Sequence, residues 1–310
     1  MRILFYGTPA FAIPTLQALL LDGREVVGVV TQPDRPAGRG RRERPSPVKE
    51  VALRHRLPVL QPDRLREPEW PERLAPLAPD VAVVVAFGQI LPPPVLAVPA
   101  RGSINVHASL LPRYRGAAPI AWALIRGERE TGITTFQMDA GMDTGGILLQ
   151  RATPIDPEET AGELGARLAT LGAEVLLETL GALDHLTPRP QAHDQATLAR
   201  RLRKQDGHLD WTDPASDLAA RVRGVNPWPG AVTTTPVGRL LVWRARAVPG
   251  AGPPGVLVET GGTLAVGTGA GLLLPVEVQP ENRRAMAWEA FLRGARLGPG
   301  AELGAPAGSG

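Results

Sequence analysis

The run Val81-Ala82-Val83-Val84-Val85-Ala86-Phe87 is apolar at every position. A strand alternates its side chains between two faces, so such a run needs cover on both. That is the situation of a central strand in a parallel sheet flanked by helices. The neighbouring sequence agrees. Residues 2–6 (RILFY) read as a short strand, Gly7-Thr8-Pro9 as a turn, 10–21 as an apolar helical pattern ending at Gly23, and 25–30 (EVVGVV) as a second strand. This is a βαβ unit. Further strands are expected at 103–107, 131–137 and 146–152, and helices at 117–126 and 159–182. Alternation of this kind implies a doubly wound, mostly parallel α/β sheet with right-handed crossovers.

The pattern changes near residue 187. Thr187-Pro188-Arg189-Pro190-Gln191 reads as the start of a linker over 187–206. A helix is expected at 213–223, then strands at 231–235, 239–247, 255–259, 263–267 and 272–278, joined by glycine-bearing turns. Short strands with glycine turns suggest a small barrel, although periodicity does not separate a barrel from a sandwich. The expected division is therefore 1–186, a linker at 187–206, and 207–310. Trp211, Trp228, Trp243 and Trp288 are read chiefly as core residues of that second part.

Composition excludes several classes. The chain has 310 residues and no cysteine, so disulfides, thiolate metal sites and a cysteine nucleophile are out. No metal is expected. The opening MRILFYGTPAF carries no basic-then-apolar leader, and no apolar run approaches the ~18 residues of a membrane span. A cytoplasmic, monomeric protein is expected.

Charge is uneven. Residues 1–186 hold 20 basic and 21 acidic side chains, 187–206 hold 5 and 2, and 207–310 hold 9 and 8. Arg35, Arg39, Arg41, Arg42, Arg44 and Lys49 crowd one segment. A basic insertion loop over 31–49 follows, with almost no hydrophobic side chains. Long irregular loops in compact domains are usually functional or disordered. Arg200, Arg201, Arg203 and Lys204 form a second cluster. Both clusters could meet phosphates. Lys49 and Lys204 are the only lysines, so arginine alone is a weak signal here.

The chemistry concentrates in 103–148. Asn105 and His107 are two apart in an expected strand, so they share a face. Asp143 follows in the glycine-rich GMDTGG. A neutral donor, an imidazole and a carboxylate suit oxyanion stabilisation and proton transfer. Asp139, in the same QMDAGMDTGG stretch, competes with Asp143. G-x-G-x-x-G is absent after the first strand, which disfavours a nicotinamide dehydrogenase. An RNA-binding module on an inactive scaffold is the rival from another class.

Asn-x-His, then Ser109-Leu110-Leu111-Pro112, Arg115-Gly116-Ala117-Ala118-Pro119-Ile120 and Gly141–Gly145 resemble the 10-formyltetrahydrofolate-dependent formyltransferases. The resemblance runs nearly end to end. It includes TQPDRPAGRGRRERPSPVK at 31–49, Asn226-Pro227-Trp228-Pro229 and the C-terminal QPENRRAM. It implies a Rossmann-like catalytic domain and an OB-like C-terminal barrel. Asn105, His107 and Asp143 would be catalytic, with the family pattern matching Asp143 rather than Asp139. Phe87, Gly88, Ile90 and Leu91 would form one wall for 10-formyltetrahydrofolate as co-substrate. Ser109, Leu110, Leu111 and Pro112 would form the other. The loop and C-terminal half narrow the acceptor to initiator methionyl-tRNA, met by Arg35, Arg39, Arg41, Arg42, Arg203 and Lys204. Arg39 best matches the acceptor-stem contact.

Overall fold

The computed structural model describes residues 1–37 and 42–304. The chain divides into two compact units. One comprises Met1–Gly116, Glu130–Pro154 and Gly165–Ala199; the other comprises Ala117–Arg129, Ile155–Leu164 and the chain from Arg200 onward.

The first unit opens with β1 (Arg2–Gly7), α1 (Ile13–Leu21) and β2 (Glu25–Val30), and the two strands pair in parallel. The expectation of an irregular loop over 31–49 is corrected here. β3 (Arg35–Ala37) and β4 (Arg42–Arg44) pair as an antiparallel hairpin, and α2 (Pro47–Arg54) follows directly. Pro47 supplies a helix-ready φ at the first turn, and the Ser46 hydroxyl accepts from the Lys49 amide at 3.1 Å. Backbone pairing and a helix cap build this segment, and neither needs a hydrophobic pattern.

β5 (Val59–Leu60), α3 (Glu69–Leu74), β6 (Val81–Val85), α4 (Pro93–Leu96) and β7 (Ser103–His107) come next. After α5 (Pro119–Ile125), which belongs to the second unit, come β8 (Glu130–Gln137) and β9 (Ile147–Pro154). Among the described residues these strands make a seven-stranded sheet in the order β5-β2-β1-β6-β7-β8-β9. It is parallel from β5 to β7; β8 and β9 add antiparallel. β6, the apolar run, is buried throughout, as double cover requires. α6 (Ala161–Ala182) starts with Thr160 and Glu163 bonding to each other's backbone amides, a capping box. Its Gly172 lies against Val106 and Ile133, so this helix covers the sheet face opposite Asn105 and His107.

The second unit contains α7 (Ala215–Gly224), then β10 (Ala231–Thr235), β11 (Gly238–Val248), β12 (Leu257–Thr260), β13 (Thr263–Gly267), β14 (Leu272–Pro280) and β15 (Met286–Ala287), and ends in α8 (Trp288–Ala295). The strands pair antiparallel in the order β10-β11-β14-β13-β12, with β15 on β14. Among the described residues no ladder joins β10 to β12, so an antiparallel sheet domain is the form observed. Trp211 and Trp288 lie in its core, each with its indole N–H bonded. Trp228 does not: it stands between two prolines in a turn and is 52 % exposed, a correction to the core reading. Among the described residues no helix is long and apolar enough to cross a membrane.

Candidate active site

The chain order runs β1 then β2 on one side and β6 on the other, which leaves a crevice at the carboxyl ends of β1 and β6. Thr8, just past β1, donates its hydroxyl to the Phe87 carbonyl just past β6 at 2.9 Å. β7 delivers Asn105 and His107 beside this end on one face.

His107 is 7 % exposed, and its Nε2 lies 2.9 Å from the Tyr114 carbonyl oxygen. A carbonyl only accepts, so Nε2 carries the hydrogen in the neutral ring. Nδ1 is then the nitrogen with a free lone pair. It faces Asp143, whose Oδ2 lies 3.8 Å away. That is too long for a hydrogen bond but within ion-pair reach. Asn105 is half-buried, and among the described residues its side-chain amide makes no hydrogen bond. A donor and a proton acceptor therefore stand free on one strand face.

Asp143 arrives by an indirect route. β8 ends at Gln137, opposite Ile104 at the start of β7, so the 138–146 loop begins three residues short of His107. It folds back along the face. Gly145 permits this: a Cβ there would stand 1.8 Å from the Gln137 carbonyl oxygen. Asp143 takes a left-handed backbone (φ 55°) and its Oδ2 accepts from the Gly116 amide at 2.7 Å. Gly116 itself has φ 116°, and a Cβ would meet the Ala199 carbonyl oxygen at 2.8 Å. Asp139 behaves differently. It is exposed and accepts from the Gly141 amide and the Thr144 hydroxyl, closing its own turn.

The two expected folate walls have different characters. Phe87 and Leu91 are buried in the core, where Phe87 meets Tyr6 edge-on at 5.4 Å; burial pushes the Tyr6 phenol well up. Gly88 has φ 87°, and Ile90 is 84 % exposed. Ser109 is fully buried and donates to the Arg113 carbonyl, while Leu111 is fixed at both backbone groups by Thr134 and Gln150. Leu110 and Pro112 are half-buried. Backbone at 86–91 and 109–112 thus lies at the strand ends, with most side chains turned to packing.

The basic residues separate likewise. Arg35 is exposed on β3, while Arg39 and Arg41 lie outside the described residues, as does the side chain of Arg42. Lys49 instead anchors the hairpin base, bonding Asp34 at 2.6 Å and Gln61 at 2.7 Å. Those hydrogen bonds from Lys49 and Gln61 hold the Asp34 carboxyl below its usual range. Arg203 and Lys204 are exposed. Their neighbour Arg200 is bound in two places to Asp206, at 2.6 and 2.9 Å, and stacks over Trp122.

A family model described as formyl transferase matches residues 1–180, and one described as formyl transferase, C-terminal domain, matches 201–296. The chain belongs to the formyltransferase family. This formyltransferase is 49 % identical to the methionyl-tRNA formyltransferase of Solibacter usitatus, over 98 % of the chain and 99 % of the relative. It is 50 % identical to that of Geobacter sulfurreducens, over 98 % and 97 %. Among solved structures it shares its fold with HypX from Aquifex aeolicus in complex with tetrahydrofolic acid (TM-score 0.63, 18 % identity, 94 % of this chain and 47 % of that one). It also shares it with the Helicobacter canadensis N-formyltransferase holding folinic acid and dTDP-3-aminofucose (TM-score 0.67, 15 % identity, 89 % and 98 %).

In this formyltransferase Tyr114, Arg115, Gln191 and Thr197 also surround His107 and Asp143. Tyr114 has φ 61° and supplies the carbonyl that fixes the His107 ring. Thr197 accepts from the Tyr114 amide at 2.8 Å. Arg115 is 7 % exposed and donates to Gln191, which in turn donates to the carbonyls of Asp143 and Gly145. None of these residues carries a local sequence signal for such a role.

Proposed function

We infer that this formyltransferase is a methionyl-tRNA formyltransferase, moving a formyl group from 10-formyltetrahydrofolate to the α-amine of initiator methionyl-tRNA. The observation that carries the reading is 49 % and 50 % identity, over nearly the whole of both chains, to proteins so named. The geometry supports it. The co-substrate supplies the formyl group, with backbone at 86–91 and 109–112 to hold it. Asn105, with its amide free, donates to the formyl oxygen as negative charge develops there. His107, its Nε2 hydrogen engaged by Tyr114, exchanges protons at Nδ1 and supports that charge once Nδ1 has taken a proton. Asp143 keeps a carboxylate beside that nitrogen, and among the described residues its Oδ1 accepts no hydrogen bond. The His107–Asp143 pair takes one proton from the attacking amine and delivers one to N10 as the carbon–N10 bond breaks. It ends in its starting protonation state.

Residues 1–186 would carry the chemistry, and 207–310 would bind tRNA with the hairpin and Arg203 and Lys204. The protein would work as a monomer in the cytoplasm, where charged tRNA is found. The test is direct. Incubation with 10-formyltetrahydrofolate and charged initiator tRNA should yield N-formylmethionyl-tRNA. Formylation of an amino-sugar nucleotide instead would overturn the acceptor assignment.

A further inference from the structure

Residues 181–200 fall between the two family-matched segments. Part of that stretch is nonetheless stitched onto the candidate site. Arg189 exchanges both backbone hydrogen bonds with Ile147 at 2.8 Å, and Arg115 bonds the Thr197 carbonyl and the Ala199 amide at 2.8 and 2.7 Å. Between these fastenings two side chains reach inward. Gln191, 5 % exposed, donates from Nε2 to the Asp143 carbonyl at 2.9 Å and the Gly145 carbonyl at 2.8 Å. Its Oε1 accepts from Arg115 Nε at 3.1 Å and Nη2 at 2.6 Å. An amide engaged at both ends has one orientation, because a flip would set donors against donors. Thr197 accepts the Tyr114 amide, and Tyr114 in turn accepts His107 Nε2.

Two further observations separate positioning from simple packing. Asp143 and Tyr114, the residues gripped, both hold left-handed backbones at φ 55° and 61°. Such backbones persist in non-glycine residues only where the surroundings over-determine them. Arg115 is also buried against Gln191 and His193, and among the described residues no carboxylate pairs with it. Desolvating a guanidinium without a counter-charge costs stability, so an arrangement selected for stability alone would use an apolar side chain.

We propose that the strap 189–199 is part of the formyl-transfer site, with Gln191 a positioning residue acting through Asp143 and Thr197 one acting through Tyr114 on His107. This rests on the reading that His107 and Asp143 serve formyl transfer. The variants are Gln191→Ala, Gln191→Glu, Thr197→Val and Thr197→Ser, with exposed Gln195→Ala as control. Each is assayed for kcat and both KM values across pH, for melting, and by 15N NMR of the His107 ring.

Gln191→Ala should lose about 10²-fold in kcat, the scale of an ångström-sized misplacement, with small KM changes and an altered pH profile. Gln191→Glu keeps the acceptor for Arg115 and pairs its charge, yet cannot donate to the two carbonyls. It should melt above Gln191→Ala, through its pairing with Arg115, while kcat stays as low. Thr197→Val should shift the His107 ring resonances and lower kcat, and Thr197→Ser should restore both. Parent-like turnover by Gln191→Glu would overturn the proposal. So would kcat falling only in step with melting, on an unchanged pH profile. If the parent protein itself formylates no methionyl-tRNA, the functional reading fails. The ring spectra still decide the strap: identical spectra in the parent and Thr197→Val would sink it.

Discussion

Asp206 and Asp143 are both shielded carboxylates, and they sit in opposite electrostatic situations. Asp206 is 7 % exposed and fully engaged: Arg200 donates twice, and the Arg203 amide donates at 2.6 Å. The Arg200 hydrogen bonds foremost hold its carboxyl below the usual range. Asp143 has one backbone donor, an imidazole at 3.8 Å and, among the described residues, a free Oδ1. The nearby buried cation, Arg115, bonds Gln191 rather than a carboxylate. A saturated carboxylate fixes a loop. One left with an open acceptor beside a histidine can take and return protons.

The sharpest way to break the comparison is to remove the reactive side. Asn105→Ala and His107→Ala should each lose at least about 10²-fold in kcat, with KM values and melting nearly unchanged. Near-normal turnover by either folded variant would remove the mechanism. Asp143→Asn keeps shape and deletes charge, so turnover should fall sharply and its pH dependence should change form.

Substrate capture is a gentler probe. Deleting residues 36–44 should spare folate binding and weaken kcat/KM for methionyl-tRNA, and Arg39→Ala should reproduce part of that loss. The affinity should fall as salt rises, because phosphate contacts release counterions. An unchanged kcat/KM in the deleted protein would make the hairpin a solvated ornament.

The saturated side should respond in stability. Asp206→Asn should lower the melting midpoint by a few degrees and leave turnover largely intact. The pH sign follows from the depressed carboxyl. Its stabilisation is fully present above the unfolded value near ~4 and is lost as pH falls through the lower folded value. Glu163, pulled down to about 2 chiefly by the Thr160 backbone amide, then by its hydroxyl and Arg244, adds in the same direction. Melting followed from pH 6 to 2 should show the parent losing more stability than Asp206→Asn. The smallest effect belongs to Asp139→Asn, which removes charge from a turn acceptor. If it proves more damaging than Asp143→Asn, the assignment of the two aspartates is reversed.

Much of this was legible in order along the chain. The β6 run announced a doubly covered strand, and a two-residue spacing put Asn105 and His107 on one face. Ser46-Pro47 is a readable helix start inside a segment whose composition otherwise reads as a long loop. The hairpin of β3 and β4 was not readable, since its pairing is made by backbone groups among arginines and prolines. Nor were the partners of the site. Gln191 reaches the Asp143 carbonyl across 48 residues, and Thr197 reaches Tyr114 across 83. No local pattern encodes a contact at that range. Trp228 misled because hydrophobicity predicts burial only where the backbone turns the ring inward.

The fastening of residues 189–199 also bears on how such enzymes can be recombined. A fragment ending at residue 186 would keep Asn105, His107 and Asp143, yet lose the atoms that hold two of them in register. A chimera joined at residue 186 would therefore inherit a complete inventory of reactive groups without their alignment, whereas one joined after Ala199 would retain both.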